Sequence, residues 1–315
     1  MPSLAAARAA NAAFSPKYFP IAIFVGGTSG IGRATAEAFA RYTKGNAHII
    51  IVGRNEAAAN SLISSFPKPT APDAVHEFVS CDVSLIKNVQ ATTKSLVARL
   101  PKLNFLVLSP GLLNLKGRDD TAEGIDRRLC LHYYTRWKFI HDLLPLLRKA
   151  KDAGEDAKVM SVLAPGHGTS VDLNDLGLKK NYTFAKAGMT SPTYTDLMMQ
   201  TFSEQNPDLS FIHIYPGIVR TPLLKTSHPV LRYLNPLTSA LLYPVSVSPE
   251  DCAEYMLYAL LHSGDGFHRK TSQGDDMGKT RWYGTEEERK RVWEHTEEEI
   301  QRALAVSTPL KSAKD

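Results

Sequence analysis

Short apolar runs at residues 21–25, 47–52, 75–79, 105–108, 158–163, 209–214 and 266–268 punctuate the chain. Apolar-rich runs of this length read as strands, those at 21–25, 47–52 and 105–108 as strands buried on both faces. Between them the apolar positions recur at helical spacing, over residues 33–42, 56–66, 84–100, 125–150, 181–205 and 249–261. In the first of these, Ala34, Ala38 and Phe39 share the sheet-facing side and Lys44-Gly45-Asn46 is the stop; in the fourth, Leu129, Trp137, Ile140, Leu144 and Leu147 form one stripe, which Pro145 is expected to bend. Ser84 is expected to cap the helix it opens. Residues 285–304 read as a charged helix with a thin apolar stripe of Val292, Trp293 and Ile300, lying on the surface or against a partner. Regular strand–helix alternation predicts an α/β fold, a doubly wound parallel sheet flanked by helices. The expected division is an N-terminal arm over 1–20, one nucleotide-binding domain over 21–275 with a substrate-covering segment at about 222–245, and a helical extension and tail over 276–315.

The first apolar run leads directly into Gly26-Gly27-Thr28-Ser29-Gly30-Ile31-Gly32 and then a helix. A strand, a glycine turn and a helix N-terminus in that order make a phosphate cradle, because the first helical N–H groups have no partner within the helix. Gly26 can take a turn conformation closed to other residues, Gly30 lets the backbone approach a pyrophosphate, and Gly32 lets the helix sit close to the sheet. At the end of the second run stands Gly53-Arg54-Asn55, with no carboxylate where an NAD-selective site commonly binds the ribose hydroxyls. Arg54, helped by Arg33, suits a 2′-phosphate instead, which favours NADPH over NADH.

The Gly-x-x-x-Gly-Ile-Gly spacing resembles that of the short-chain dehydrogenase/reductase family, and so does Tyr182-Thr183-Phe184-Ala185-Lys186. The resemblance runs from Ile21 through Thr221 and implies a Rossmann-like fold. It places Asp82 and Val83 beside the adenine, Ser109 and Gly111 where the family has Asn-x-Ala-Gly, and Pro216, Gly217, Val219 and Thr221 over the nicotinamide end. It also implies a homodimer or homotetramer built on residues 125–147 and 181–205.

In a helix, residues four apart share a face, so Tyr182 and Lys186 are expected at one site, with the ammonium favouring the phenolate. Tyr182 would transfer the proton as hydride moves to or from a carbonyl carbon, and Lys186 would also hold the nicotinamide ribose. Two departures stand out. The family's serine after the fifth strand is replaced by Leu163 and Ala164, leaving Ser161 as the candidate, with Ser170 and His167 as weaker ones. His132 stands where the family has an asparagine that organises a proton relay; imidazole both donates and accepts, so it can keep the relay or be structural.

Composition narrows the partners. A charge of +5 over 315 residues, with basic and acidic positions interleaved, shows no nucleic-acid stripe. Cys81, Cys130 and Cys252 are widely spaced and read as free thiols in a reducing, cytoplasmic compartment, with no metal-ligand pattern. No apolar run spans a membrane, and residues 1–14 match neither a secretory signal nor a transit peptide. The expected function is NADPH-dependent interconversion of a carbonyl and an alcohol on a small organic metabolite; a polyketide-like or lipid-derived carbonyl of secondary metabolism are the candidates. The missing serine leaves open a non-redox isomerase, dehydratase or cyclase on the same fold. The combined loss of serine and asparagine leaves open a non-catalytic cofactor-binding regulator.

Overall fold

The computed structural model describes residues 1–112, 117–221, 243 and 246–306. Its strands are β1 (Ile21–Val25), β2 (His48–Gly53), β3 (His76–Ser80), β4 (Phe105–Leu108), β5 (Lys158–Val162), β6 (Ser210–Ile214) and β7 (Gly266–Lys270). They form one seven-stranded sheet in the order β3-β2-β1-β4-β5-β6-β7, and every neighbouring pair is parallel. Chain order reverses between β1 and β4, so a crevice opens beyond their carboxyl ends, where open α/β sheets bind ligands.

Helices cover both faces. One layer holds α1 (Leu4–Ala12), α2 (Gly30–Tyr42), α3 (Glu56–Ser65) and α8 (Pro249–His262); the other holds α4 (Ile86–Arg99), α6 (Thr135–Asp152), α7 (Phe184–Gln205) and α9 (Glu286–Ala305). Side chains of a strand point alternately to the two faces. In β1, Ile21, Ile23 and Val25 therefore enter the α4/α6/α7 core, while Ala22 and Phe24 enter the α2/α8 core. There Phe39 packs against Phe24 and Phe105 with ring centroids 5.7 and 5.5 Å apart.

Several expectations are corrected. Ser84 does not cap α4: Leu85 precedes it, and the Glu123 carboxylate accepts from the N–H groups of Ile86 (2.6 Å) and Lys87 (3.0 Å). The helical region expected over 125–150 is interrupted by a π-helical turn, Cys130–Tyr134, between the short α5 (Arg127–Leu129) and α6, which contains Pro145. α7 begins at Phe184 rather than 181, because Thr183 stays extended and its side chain caps Lys186 N. The charged α9 is anchored within the chain: Val292 and Ile300 are buried, and Trp293 lies between Trp137 and Phe202 at centroid distances of 5.4 and 5.0 Å. α1 docks on α8, where Asn11 donates to both the backbone carbonyl and the carboxylate of Glu254 at 2.9 Å. The cover segment expected at 222–245, Tyr243 apart, and the tail from 307 onward lie outside the described residues. No helix among the described residues is long and apolar enough to cross a membrane. The three cysteines are buried free thiols; burial pushes Cys130 and Cys252 up to about 12, so both stay protonated at neutral pH.

Candidate nucleotide groove and active site

A groove of about 390 Å³ opens where the chain order reverses, between the β1–α2 turn and the segment after β4. Its floor is Gly26, Thr28, Ser29, Gly30, Ile31 and Gly32. Ser29 is extended and makes no side-chain cap, and the first turn of α2 holds no acid. α1, α3, α7, α8 and α9 each begin with a side-chain cap, and α4 has Glu123; the start of α2 has neither among the described residues. Its leading N–H groups are thus left for an anion. Two glycines are needed for shape. Gly26 has φ +81°, and a Cβ on Gly32 would stand 2.2 Å from Ser109 Oγ and 2.6 Å from the Gly26 carbonyl oxygen. Ser109 is fixed in turn by donating to the Val25 carbonyl at 3.0 Å. These are the features a dinucleotide's pyrophosphate requires, so the groove fits such a cofactor.

One end of the groove is built by Gly53, Arg54, Asp82 and Val83. Arg54 is exposed and also reaches an adjoining hollow formed with Thr28, Ser29, Asn55 and Glu56. Asn55 is occupied as the cap of α3. Asp82 accepts from the N–H and hydroxyl of Ser84 at 3.0 and 2.8 Å. Pro110, Gly111, Leu112 and Leu131 line it further along, beyond the carboxyl end of β4, and Thr221 lies against Gly30 of the glycine turn. Arg33, Pro216, Gly217 and Val219 do not line the groove; Val219 is buried and pairs with Val247.

Gly53, Cys81, Ser84, Pro110, Leu112, Arg127 and Leu131 also line it and were missed in sequence reasoning. All but Arg127 adjoin a residue singled out there, so widening each motif by one position finds them. Arg127, held by Asp119 Oδ2 at 3.0 Å and Ser84 Oγ at 3.1 Å, had no local signal.

The candidate reacting groups are not gathered in the groove. Tyr182 precedes α7 and therefore does not share a helical face with Lys186. The Lys186 ammonium donates to Asp172 Oδ2 at 2.9 Å. Tyr182 is instead beside Asp126, Arg128 and Arg118; burial, with Asp126, raises its pKa above the ordinary tyrosine value. Ser161 is fully buried and accepts from Arg136 Nη1 at 2.6 Å, so its hydroxyl faces the interior. His132 is buried behind Gly111, and desolvation, then Arg136 and Arg128, hold its pKa well below 6.5, leaving it neutral. His167 packs against Tyr215, the ring centroids 4.3 Å apart and the planes tilted by 35°. The sequence also gave no sign of His213, which accepts from Ala164 N–H at 3.2 Å through Nε2 and donates through Nδ1 to Asp196 at 2.6 Å.

The family model for short chain dehydrogenases matches residues 20–230. The chain belongs to the short-chain dehydrogenase family. An oxidoreductase of Emericella nidulans is 38% identical over 262 residues, covering 82% of this chain and 77% of that protein. A short-chain dehydrogenase/reductase of Stachybotrys chartarum is 30% identical over 276 residues, 82% and 77% of the two chains. Among solved structures, a 3-ketoacyl-(acyl-carrier-protein) reductase from Brucella melitensis, complexed with NADH, superposes with a TM-score of 0.57 at 18% identity, over 83% of this chain and 98% of that one. That likeness establishes the Rossmann fold. The matched span includes the glycine turn of β1–α2 and the Ser109-Pro110-Gly111 segment that line the groove described above.

Proposed function

We propose that this short-chain dehydrogenase is an NADP(H)-dependent oxidoreductase that interconverts a carbonyl group and an alcohol on a small organic metabolite. The observation that carries this reading is the uncapped start of α2 facing a glycine-shaped groove with the exposed Arg54 at one end. The N–H groups of the first turn hold the pyrophosphate, Arg54 pairs with the 2′-phosphate, and Asp82 accepts from the adenine amino group. Redox chemistry is further supported by the two curated relatives, which are named as an oxidoreductase and a dehydrogenase/reductase.

The bound nicotinamide supplies or takes up hydride. Tyr182 is the proposed proton carrier; burial and Asp126 raise its pKa further above neutrality, so it stands as the neutral phenol, the donating form. Lys186 is the proposed holder of the ribose hydroxyls, for which it must leave Asp172. Calorimetric titration should show NADPH binding more tightly than NADH. Tyr182→Phe should abolish carbonyl-dependent NADPH consumption while leaving the NADPH Kd unchanged. If neither nucleotide binds, the reading fails.

A nucleotide-binding protein without turnover is the second reading, favoured by the engagement of Ser161 with Arg136 and of Lys186 with Asp172. Nucleotide binding with no turnover over a panel of ketones, aldehydes and alcohols would select it.

A further inference from the structure

Arg136 is the largest side chain buried to this depth, with 1% of its surface exposed. Its guanidinium donates to four neutral acceptors: the carbonyls of Pro110 (2.7 Å), Val162 (2.8 Å) and Leu131 (3.2 Å), and the hydroxyl of Ser161 (2.6 Å). No carboxylate pairs with it among the described residues. Asp196 serves His213 and Arg269, at 2.6 and 3.0 Å. The imidazoles of His132 and His213, which feel its charge, both have pKa values held below 6.5 and add no compensating negative charge. Burial draws the guanidinium down to about 9, so it remains a cation at neutral pH.

A buried cation without an anion is expensive, and an apolar side chain of similar length would fill the space more favourably. What distinguishes the site is where the charge stands. Pro110 and Leu131, whose carbonyls it holds, both line the groove, and Pro110 beyond β4 and Val162 at the end of β5 stand two and three strands from β2, whose end carries Arg54. The guanidinium is therefore a fixed positive charge directly behind the groove wall, in a region from which water is excluded and screening is weak.

We propose that Arg136 makes the groove discriminate between the two redox forms of the cofactor, holding the reduced nicotinamide more tightly than the oxidised one. This rests on the groove taking a nicotinamide nucleotide. The oxidised ring carries a positive charge that the reduced ring lacks, so a buried cation behind the wall repels only the oxidised form. After hydride delivery the oxidised nucleotide leaves readily. Each tenfold of preference raises the potential of the bound couple by about 30 mV, a small loss of donating power set against faster product release.

The test is the ratio of Kd for NADP⁺ to Kd for NADPH, measured by calorimetry and by nucleotide fluorescence without any substrate. Arg136→Gln keeps hydrogen-bond donors and removes the charge; Arg136→Lys keeps the charge and loses the planar fork. The ratio is expected to fall about tenfold in Arg136→Gln and to stay near the wild-type value in Arg136→Lys. An unchanged ratio in Arg136→Gln overturns the proposal, as does an equal fall in both variants, which would make the role purely geometric. Should Arg136→Gln not fold, the potential of the wild-type bound couple decides: above the free couple supports the proposal, at or below it overturns it. Equal binding of both forms by the wild type overturns this proposal alone, whereas binding of neither overturns the cofactor reading with it.

Discussion

At Gly32 the missing side chain is what joins α2 to the segment after β4, with Ser109 Oγ and the Gly26 carbonyl filling the space a Cβ would take. Gly32→Ala is expected to push α2 off the sheet, lowering stability by about 2 kcal/mol and raising the Kd for either nucleotide; calorimetry on folded variant checks the second effect. Arg54→Ser tests a different term. Loss of a charge-assisted pair with a 2′-phosphate should weaken NADPH about tenfold or more and leave NADH unchanged; equal weakening of both would remove Arg54 from phosphate recognition. Glycine positions were readable from the chain because their constraint is local. Ser161 was not, since its hydroxyl could be assigned only by knowing that Arg136, 25 residues earlier, lies against it.

Among the elements, strand positions followed the apolar runs closely, and β4 coincides with its run at Phe105–Leu108. Helix starts followed less closely, because caps can be supplied from far away. Glu123 satisfies the first N–H groups of α4 from 37 residues downstream while only 4% exposed. Glu123→Ala is expected to lower stability by about 1–2 kcal/mol, read as a lower urea midpoint with an unchanged slope. At α7 the competition is local. Thr183 bonds the N–H of Lys186, the helix begins one residue later, and Tyr182 is left outside it. The shared helical face expected for Tyr182 and Lys186 was therefore lost through a single capping choice.

For the whole molecule, the α4/α6/α7 core is closed by α9, which covers parts of α6 and α7 that the family resemblance implied for a partner subunit. Tyr134 and His295 (2.8 Å) and Tyr133 and Thr296 (2.7 Å) join it to the π-helical turn. His132, His213 and His295 all have pKa values lowered first by burial. The sign is fixed by linkage: below about 6.5 the unfolded chain takes up protons that the folded chain refuses, so stability falls with falling pH. The urea midpoint should drop between pH 7.5 and 5.5, above the range where carboxylates titrate; an unchanged midpoint would show that these imidazoles are protonated without penalty.

The alternation of strands and helices, the parallel sheet and the glycine cradle were determined by the sequence alone, since periodicity and steric room act between residues close along the chain. Only the tertiary structure decided that Lys186 meets Asp172, that Ser161 meets Arg136 and that Arg127 lines the groove. Those outcomes depend on which polar groups, distant in sequence, are desolvated together, and a buried donor takes whichever acceptor the fold brings within reach.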